Sequence, residues 1–341
     1  MIISRTPFRL SFFGGGTDYP AWYREHGGAV LSTTIDKYCY LSVRYLPPFF
    51  ATRHRVVWSY VETVGTIAEI LHPAVREGLK MLDFDDSVGV EIHHQADLPA
   101  RAGMGSSSSF AVGLIKALYG LKGQMIGKQE LALRAMELEQ ERLHENVGSQ
   151  DQVAAAYGGF NLIEFRKGGE VRVDPVTIAA ARLEELQANL VLFYTGTSRL
   201  ASDVAADVIA NLPSKAQALT RMRQMVDEAL EILNGKSPIE DFGRLLHESW
   251  QLKRGLSSMV SSATVDEVYR RALKNGAIGG KLLGAGSSGF MCFFVPPRKQ
   301  ASLCRALSGY LHVPFSFESE GSRVIHYGSQ IEWPDAERRR A

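Results

Sequence analysis

Three short stretches of this chain bring together residue types that could do chemistry. The first is PARAGMGSSSSFAVGLIKAL (99–118), a glycine-bearing loop that runs directly into an apolar helical pattern. The first N–H groups of a helix lack internal partners, and the helix dipole is positive there. Small residues let a phosphate approach those groups, and serine hydroxyls add donors or bind Mg2+. A serine N-cap after a turn would use some of the same letters. Gly103, Met104, Gly105 and the run Ser106, Ser107, Ser108, Ser109 exceed what a cap needs, so the stretch points to a phosphate. The second stretch is GSQDQ (148–152), in which Asp151 reads from spacing alone as the N-cap of the helix QVAAAY. The third is FFGGGTDYP (12–20), with Gly14, Gly15 and Gly16 followed by Thr17 and Asp18. Three glycines lose much backbone entropy on folding, so the position calls for positive φ or close backbone approach. A long turn feeding a helix capped by Asp18 would satisfy the same pattern.

Two further glycine patterns fail their structural context. GAGSSG (284–289) matches G-x-G-x-x-G, but it runs into the apolar strand FMCFFV instead of opening a helix. A dinucleotide fingerprint is rejected on that ground, and a hairpin or bulge turn remains. NGKSP (234–238) contains Gly-Lys-Ser, but Leu230 stands where a P-loop has its first glycine.

The elements that must position these loops read as follows. Strands are expected at 4–12, at 28–46 (two strands or one bent one), at 56–64, 88–96, 160–166 and 188–196, and after the loop at 280–289. Helices are expected at 67–82, 110–121, 128–147, 200–211, 214–234, 238–255, 264–275 and 298–310, with two short strands closing the chain. RKGGEVRVDP (166–175) is the best boundary candidate. Strand-rich and helix-rich blocks without strict alternation favour an α+β fold.

The bulk numbers limit the function classes. The 341 residues suffice for one large domain or two ordinary ones, and 45% hydrophobic with 22% charged residues fits a globular core. With 38 Lys+Arg against 37 Asp+Glu, no overall field favours nucleic acid or an anionic membrane. Cys39, Cys292 and Cys304 are odd in number and far apart, which argues for a reducing compartment. MIISRTPFRL lacks the pattern of a signal peptide, and no apolar run reaches membrane-spanning length. The expectation is a cytoplasmic protein whose small-molecule ligands are held by a local site. His93 and His94 fall on opposite faces of a strand, and no Cys or His has zinc-ligand spacing.

Taken in order, the loops near 14–16, 103–109 and 284–289 resemble the three motifs of the GHMP kinases, the family of galactokinase and of homoserine, mevalonate and phosphomevalonate kinases. The resemblance spans nearly the whole chain. PARAGMGSSSS is similar to the phosphate loop P-x-x-x-G-L-G-S-S-A-A, with Met104 for the leucine and Ser108 and Ser109 for the alanines. KLLGAGSSGF resembles the third motif. PFRLSFFGGGTDY resembles the first, with Gly15 and Gly16 where galactokinases carry Glu-His. GGGTDYP, GSQDQVAAAYGG and ESWQLKRGLSS (248–258) are most similar to the branch that phosphorylates heptose 7-phosphates at the anomeric hydroxyl. Fucose kinase domains share the GGGTD and QDQ pieces.

The resemblance implies a two-domain GHMP kinase fold: a domain like ribosomal protein S5 domain 2 over 1–170 and a ferredoxin-like domain over 171–341. It implies ATP and Mg2+ as cofactors, with the ATP phosphates on residues 103–109. Asp151 becomes the general base, or the group that orients the acceptor hydroxyl. Arg9, with Arg5 as runner-up, becomes the cation that keeps the charge of Asp151 and stabilises the transferring group. Ser107 and Glu139 become the Mg2+ ligands; Glu137 and Glu141 are neighbours, and helical geometry lets one of the three reach the site. Gly14 to Gly16, Thr17 and Asp18 would lie over the sugar, stiffened by Pro20 and walled by Trp22, with Gly286 contributing from the third motif. A remote phosphate on the acceptor would fall to Ser198 and Arg199, then to Lys253 and Arg254. The rival readings are a sugar 1-kinase acting on L-fucose and a nucleotide-binding protein without turnover. Oligomeric state stays open, a homo-oligomer included.

Overall fold

The structure is a computed structural model that describes residues 1–196 and 201–328. Thirteen strands among the described residues form two sheets. They are β1 (Ile2–Phe13), β2 (Gly28–Tyr45), β3 (His54–Val57), β4 (Val61–Val64), β5 (Val90–Ala96), β6 (Phe160–Phe165), β7 (Val171–Pro175), β8 (Leu190–Tyr194), β9 (Gly279–Leu282), β10 (Phe290–Phe294), β11 (Leu311–Val313), β12 (Phe317–Glu318) and β13 (Arg323–Tyr327). The large sheet runs β13-β1-β2-β5-β3-β4, with β12 and β6 also on β2 and β7 on β6. The small sheet is β11-β8-β10-β9, antiparallel throughout.

The helices are α1 (Pro20–His26), α2 (Pro73–Met81), α3 (Ser106–Leu121), α4 (Lys128–Met136), α5 (Gln150–Tyr157), α6 (Ala180–Ala188), α7 (Ala201–Asn211), α8 (Ala216–Asn234), α9 (Glu240–Arg254), α10 (Ala263–Lys274) and α11 (Pro297–Ala306). Helix α3 is apolar nearly all round and lies across β1 and β2, where Val112, Leu114, Ile115 and Leu118 are buried. One apolar cluster lies under the large sheet, and a second, around Phe193, Trp250 and Phe293, lies under the small one. No helix among the described residues is long and apolar enough to cross a membrane.

Strand β1 does most to set up the site. Its alternation turns Phe8, Leu10 and Phe12 into the core and Arg9 and Ser11 to the opposite face, yet all five are buried. That second face looks into a cleft instead of solvent.

Several elements differ from the sequence expectation for local reasons. The span 28–46 is one strand, β2. The strand expected at 56–64 is a hairpin, β3–β4. The helix expected at 67–82 breaks into a single 3-10 turn (Ile67–Glu69) and α2, because Pro73 cannot continue a helix and holds His72 extended. Helix α3 starts at Ser106, earlier than 110. The helix expected at 128–147 ends at Arg142, its last six residues (Glu137–Arg142) widening into a π turn. Residues 280–282, taken as loop, join Gly279 in β9. A Cβ on Gly279 would stand 2.0 Å from Gly243 O, and one on Gly280 2.5 Å from Phe293 Cδ1, so glycine lets this strand lie flush on α9 and β10. The boundary expected at 166–175 falls in the β6–β7 hairpin of the large sheet. The chain's last described strands, β12 and β13, return to that same sheet on β2 and β1, so the sheets do not divide at 170/171.

Candidate active site

The cleft between the two sheets encloses about 260 Å³ and is lined by residues from all three glycine loops, from β1 and from the start of α5. At its floor, Arg9 and Asp151 form a two-pronged ion pair. Arg9 Nε donates to Asp151 Oδ1 and Nη2 to Oδ2, both at 2.7 Å. Arg9 Nη1 donates to Gly103 O at 2.8 Å, which ties the same guanidinium to the phosphate loop. The Arg9 side chain is 4% exposed and the Asp151 side chain 22%, so the carboxylate is the open end of the pair. Ser149, not Asp151, is the N-cap of α5; Asp151 sits in its first turn with its carboxylate committed to Arg9. Arg5 instead pairs with Glu318 and Glu320 outside the cleft.

The phosphate loop lies directly over this pair. Gly105 has φ +74, and a Cβ there would stand 3.2 Å from Asp151 Oδ2. Gly103 has φ +83, and its Cβ would meet Leu283 O at 2.4 Å. Gly284, at φ +71, would drive a Cβ to 2.3 Å from Gly103 Cα. The phosphate loop and the third loop thus touch backbone to backbone, and Phe290 N donates to Ala102 O at 3.1 Å to hold them in register.

The serines divide their labour. Ser106 and Ser107 line the cleft at the start of α3. Ser106 Oγ accepts from Arg101 N at 3.0 Å, steadying the turn at Arg101 (φ +58). Ser108 Oγ donates to Glu139 Oε2 at 2.6 Å. The Ser109 hydroxyl donates to Pro7 O at 3.0 Å inside the core, and the Met104 side chain is also core. Expected as ligand residues, Met104 and Ser109 hold the loop from below and present no side chain to the cleft.

Of the three candidate glutamates, Glu139 is the buried one, 1% exposed, while Glu137 pairs with Arg134 on the surface. The π turn carries Glu139 inward. Its Oε2 accepts from Ser108 and from Gln152 Nε2 at 2.6 Å, and its Oε1 has no partner among the described residues. Burial pushes its carboxyl up to about 7, against the hydrogen bonds from Ser108 and Gln152.

Three glycines at 14–16 serve three purposes. Gly14 (φ +81) makes a turn packed on β2, where a Cβ would stand 1.8 Å from Ala29 O. Gly16 (φ +104) continues that turn, and its N–H donates to Asp18 Oδ1 at 2.8 Å. Gly15 has an unstrained φ and faces the cleft with Gly16. Gly14 is therefore a packing residue and, unlike Gly15 and Gly16, does not line the cleft. Thr17 is corrected likewise: it is fully buried and its hydroxyl donates to Gly14 O at 2.7 Å and Ala29 O at 3.1 Å. Asp18 does line the cleft. Gly148 makes room for it, since a Cβ there would stand 2.0 Å from Asp18 Oδ2, and burial raises the Asp18 pKa. Trp22 is buried in the second core and Tyr19 takes the wall position. Gly286 (φ +139) packs on Val260, where a Cβ would stand 2.7 Å from the Val260 Cα, and the cleft is lined by Gly284 and Ala285 instead.

Two lysines close the far wall. Lys253 Nζ donates to Leu282 O at 3.0 Å and to Gly284 O, so it clamps the third loop. Lys281 Nζ donates to Phe12 O at 2.8 Å. Burial, and then neighbouring cations, pull Lys253 well below the ordinary lysine range and Lys281 down to about 7. Arg254 turns away to Asp266, 2.8 Å, as adjacent helical positions must. Ser198 and Arg199 lie outside the described residues. The sequence reading missed Lys281, Ser11, Tyr19 and Gln150. For Ser11 the signal was present, since it shares the face of Arg9 at the strand period.

Comparison with known proteins fits this geometry. The family model "GHMP kinases N terminal domain" matches residues 65–159, and "GHMP kinases C terminal" matches residues 225–312. A Campylobacter jejuni protein, D-glycero-alpha-D-manno-heptose 7-phosphate kinase, is 32% identical over 333 residues, covering 94% of this chain and 97% of its own. The Arabidopsis thaliana bifunctional fucokinase/GDP-fucose pyrophosphorylase is 25% identical over 88% of this chain and 30% of its own length. Among solved structures, a D-glycero-D-manno-heptose 1-phosphate kinase from Bacteroides thetaiotaomicron superposes with a TM-score of 0.78 at 25% identity, covering 96% of this chain and all of its own. With both family domains matched and a full-length relative above 30% identity, this chain belongs to the GHMP kinases and is a sugar kinase, a phosphotransferase, of that family.

Proposed function

We propose that this chain transfers the γ-phosphoryl group of ATP to the anomeric hydroxyl of D-glycero-D-manno-heptose 7-phosphate, giving the 1,7-bisphosphate on a route to an activated heptose. The observation that carries the reading is the Arg9–Asp151 pair set directly beneath Gly105 of the phosphate loop. A carboxylate there takes the proton of the acceptor hydroxyl while that oxygen attacks the γ-phosphorus. The bond from phosphorus to the β–γ bridging oxygen breaks, and ADP leaves. Arg9 holds both carboxylate oxygens and so fixes the orientation of Asp151. The N-terminus of α3, with Ser106 and Ser107, receives the phosphates. Heptose 7-phosphate is preferred over L-fucose as acceptor because the heptose phosphate kinase relative is the more similar and matches end to end.

The residues present suit a magnesium ion. Glu139 offers a buried carboxylate oxygen without a partner, beside the Ser107 and Ser108 hydroxyls, a hard-oxygen donor set. Glu139 and Ser107 would hold the ion, which neutralises phosphate charge when bound. Holding a cation requires the ionised carboxylate, and burial pushes this one up to about 7. Mg2+ affinity should therefore fall roughly tenfold for each pH unit below about 7. Glu139→Gln should weaken Mg2+ and flatten that pH dependence. Equal Mg2+ titrations at pH 6 and pH 8 in the parent protein would remove Glu139 from the ion's ligands.

A coupled ADP-release assay over heptose 7-phosphate, L-fucose, galactose and mevalonate tests the acceptor. Turnover with the heptose phosphate at least tenfold above the others supports the proposal; preferential turnover of fucose replaces it with the fucose reading.

A further inference from the structure

Within the cleft, one small region has polar atoms that the protein itself does not satisfy. Ser11 is 5% exposed, and its Oγ has no hydrogen-bond partner among the described residues. The side-chain carbonyl oxygen of Gln150 is buried and unpartnered in the same way. Both residues line the cleft. Gly15 lies between them: a Cβ built on it would stand 3.6 Å from Gln150 Nε2 and 3.9 Å from Ser11 Oγ. Burying a hydroxyl or an amide oxygen without a partner is unfavourable, and such groups in native proteins call for a ligand or another role. The Ser11 hydroxyl and the Gln150 side-chain amide thus both border the space that Gly15 leaves open, the amide with its Nε2 3.6 Å from a Cβ built there.

We infer that Ser11, Gln150 and Gly15 form a hydroxyl-recognition subsite for the acceptor sugar, reading a ring hydroxyl other than the one phosphorylated. This rests on the sugar-kinase reading above and deepens it. A sugar hydroxyl both donates and accepts, and the two groups complement it: the hydroxyl donates to the Gln150 carbonyl oxygen and accepts from Ser11 Oγ–H. Position supports the assignment. Ser11 is two residues beyond Arg9 on the same face of β1, and Gln150 immediately precedes Asp151 in the first turn of α5. The subsite is therefore built on the same two elements as the catalytic pair, so a ring seated here is oriented relative to Asp151. A site made to bond a hydroxyl rejects analogues that lack it, because its own polar groups are then left buried and unpaired.

The test uses three variants, Ser11→Ala, Ser11→Thr and Gly15→Ala, with heptose 7-phosphate and its monodeoxy ring analogues as acceptors. Ser11→Ala should lower kcat/KM for the full acceptor by roughly ten- to a hundredfold. The KM for ATP should stay within about twofold, and the melting temperature should not fall, since no protein hydrogen bond is lost. Ser11→Thr keeps the hydroxyl and should retain most of the activity. Gly15→Ala meets no protein atom closer than 3.6 Å, so it should fold normally, yet its methyl group should raise the acceptor KM. One monodeoxy analogue should be a poor substrate for the parent and no worse for Ser11→Ala than the full acceptor, the signature of a shared contact. Parent-like acceptor kinetics in both Ser11→Ala and Gly15→Ala, or equal losses for ATP and acceptor, would overturn the subsite. If the parent turns over L-fucose and not the heptose phosphate, the proposed acceptor falls, while the same variants measured on fucose still decide the subsite.

Discussion

Asp151→Asn should cut turnover by roughly two to four decades while leaving the affinity for Mg2+·ATP nearly intact, the scale expected when a general base is removed. The substitution keeps the shape of the side chain and one oxygen for Arg9, which donates from Nε and Nη2 at 2.7 Å to the two carboxylate oxygens. Arg9 also keeps its bond to Gly103 O, so the phosphate loop stays anchored. What is lost is the negative charge that takes the proton. Binding of an ATP analogue and single-turnover kinetics on the same preparation separate the two effects. Turnover within a few-fold of the parent would leave Asp151 as an anchor for Arg9 and nothing more.

Gly284→Ala should lower kcat/KM by about a hundredfold or more, although residue 284 carries no functional group. Its φ is +71, and an added Cβ would stand 2.3 Å from Gly103 Cα. Backbone cannot yield as the end of a side chain can, so the third loop must move off the phosphate loop. A shift of about 1 Å in a positioning element is enough for a loss of that size. The strained φ adds a stability cost of about 1–3 kcal/mol. Gly309→Ala is the matched control, since a Cβ there meets nothing within 4 Å, and it should change neither activity nor melting temperature. Parent-like kinetics in Gly284→Ala would mean that the contact between the two loops does not position the nucleotide.

Residue type and spacing carried far toward this site, and the reasons for the gaps are physical. Residues 103–109 pointed to a phosphate from glycines, serines and a following helix, whereas 14–16 and 284–289 fitted ordinary turns and took on roles through the resemblance of the three loops, in order, to the GHMP kinase motifs. Arg9 and Glu139 were assigned through the resemblance, since an arginine on a strand and a glutamate on a charged helix are ordinarily exposed to solvent; the structure buries both, Glu139 in the π turn. The roles of Thr17, Gly14 and Gly286 were misjudged because adjacent residues in a tight turn face different ways. Thr17 turns its hydroxyl onto backbone, and the two glycines pack on Ala29 and Val260. Lys281 escaped notice because a lysine's burial depends on distant partners such as Phe12 O. The division at 170/171 follows composition, but strand pairing is non-local: β13, at the far end of the described chain, lies beside β1.

The most direct measurement of the central claim is the structure of the product. The protein should be incubated with ATP, Mg2+ and D-glycero-D-manno-heptose 7-phosphate, and the sugar product examined by phosphorus and proton magnetic resonance. The expected result is one new phosphomonoester whose phosphorus couples to the anomeric proton, formed in step with ADP, with the 7-phosphate signal retained. A new phosphate on any other carbon, or ADP formed without a sugar bisphosphate, would contradict it.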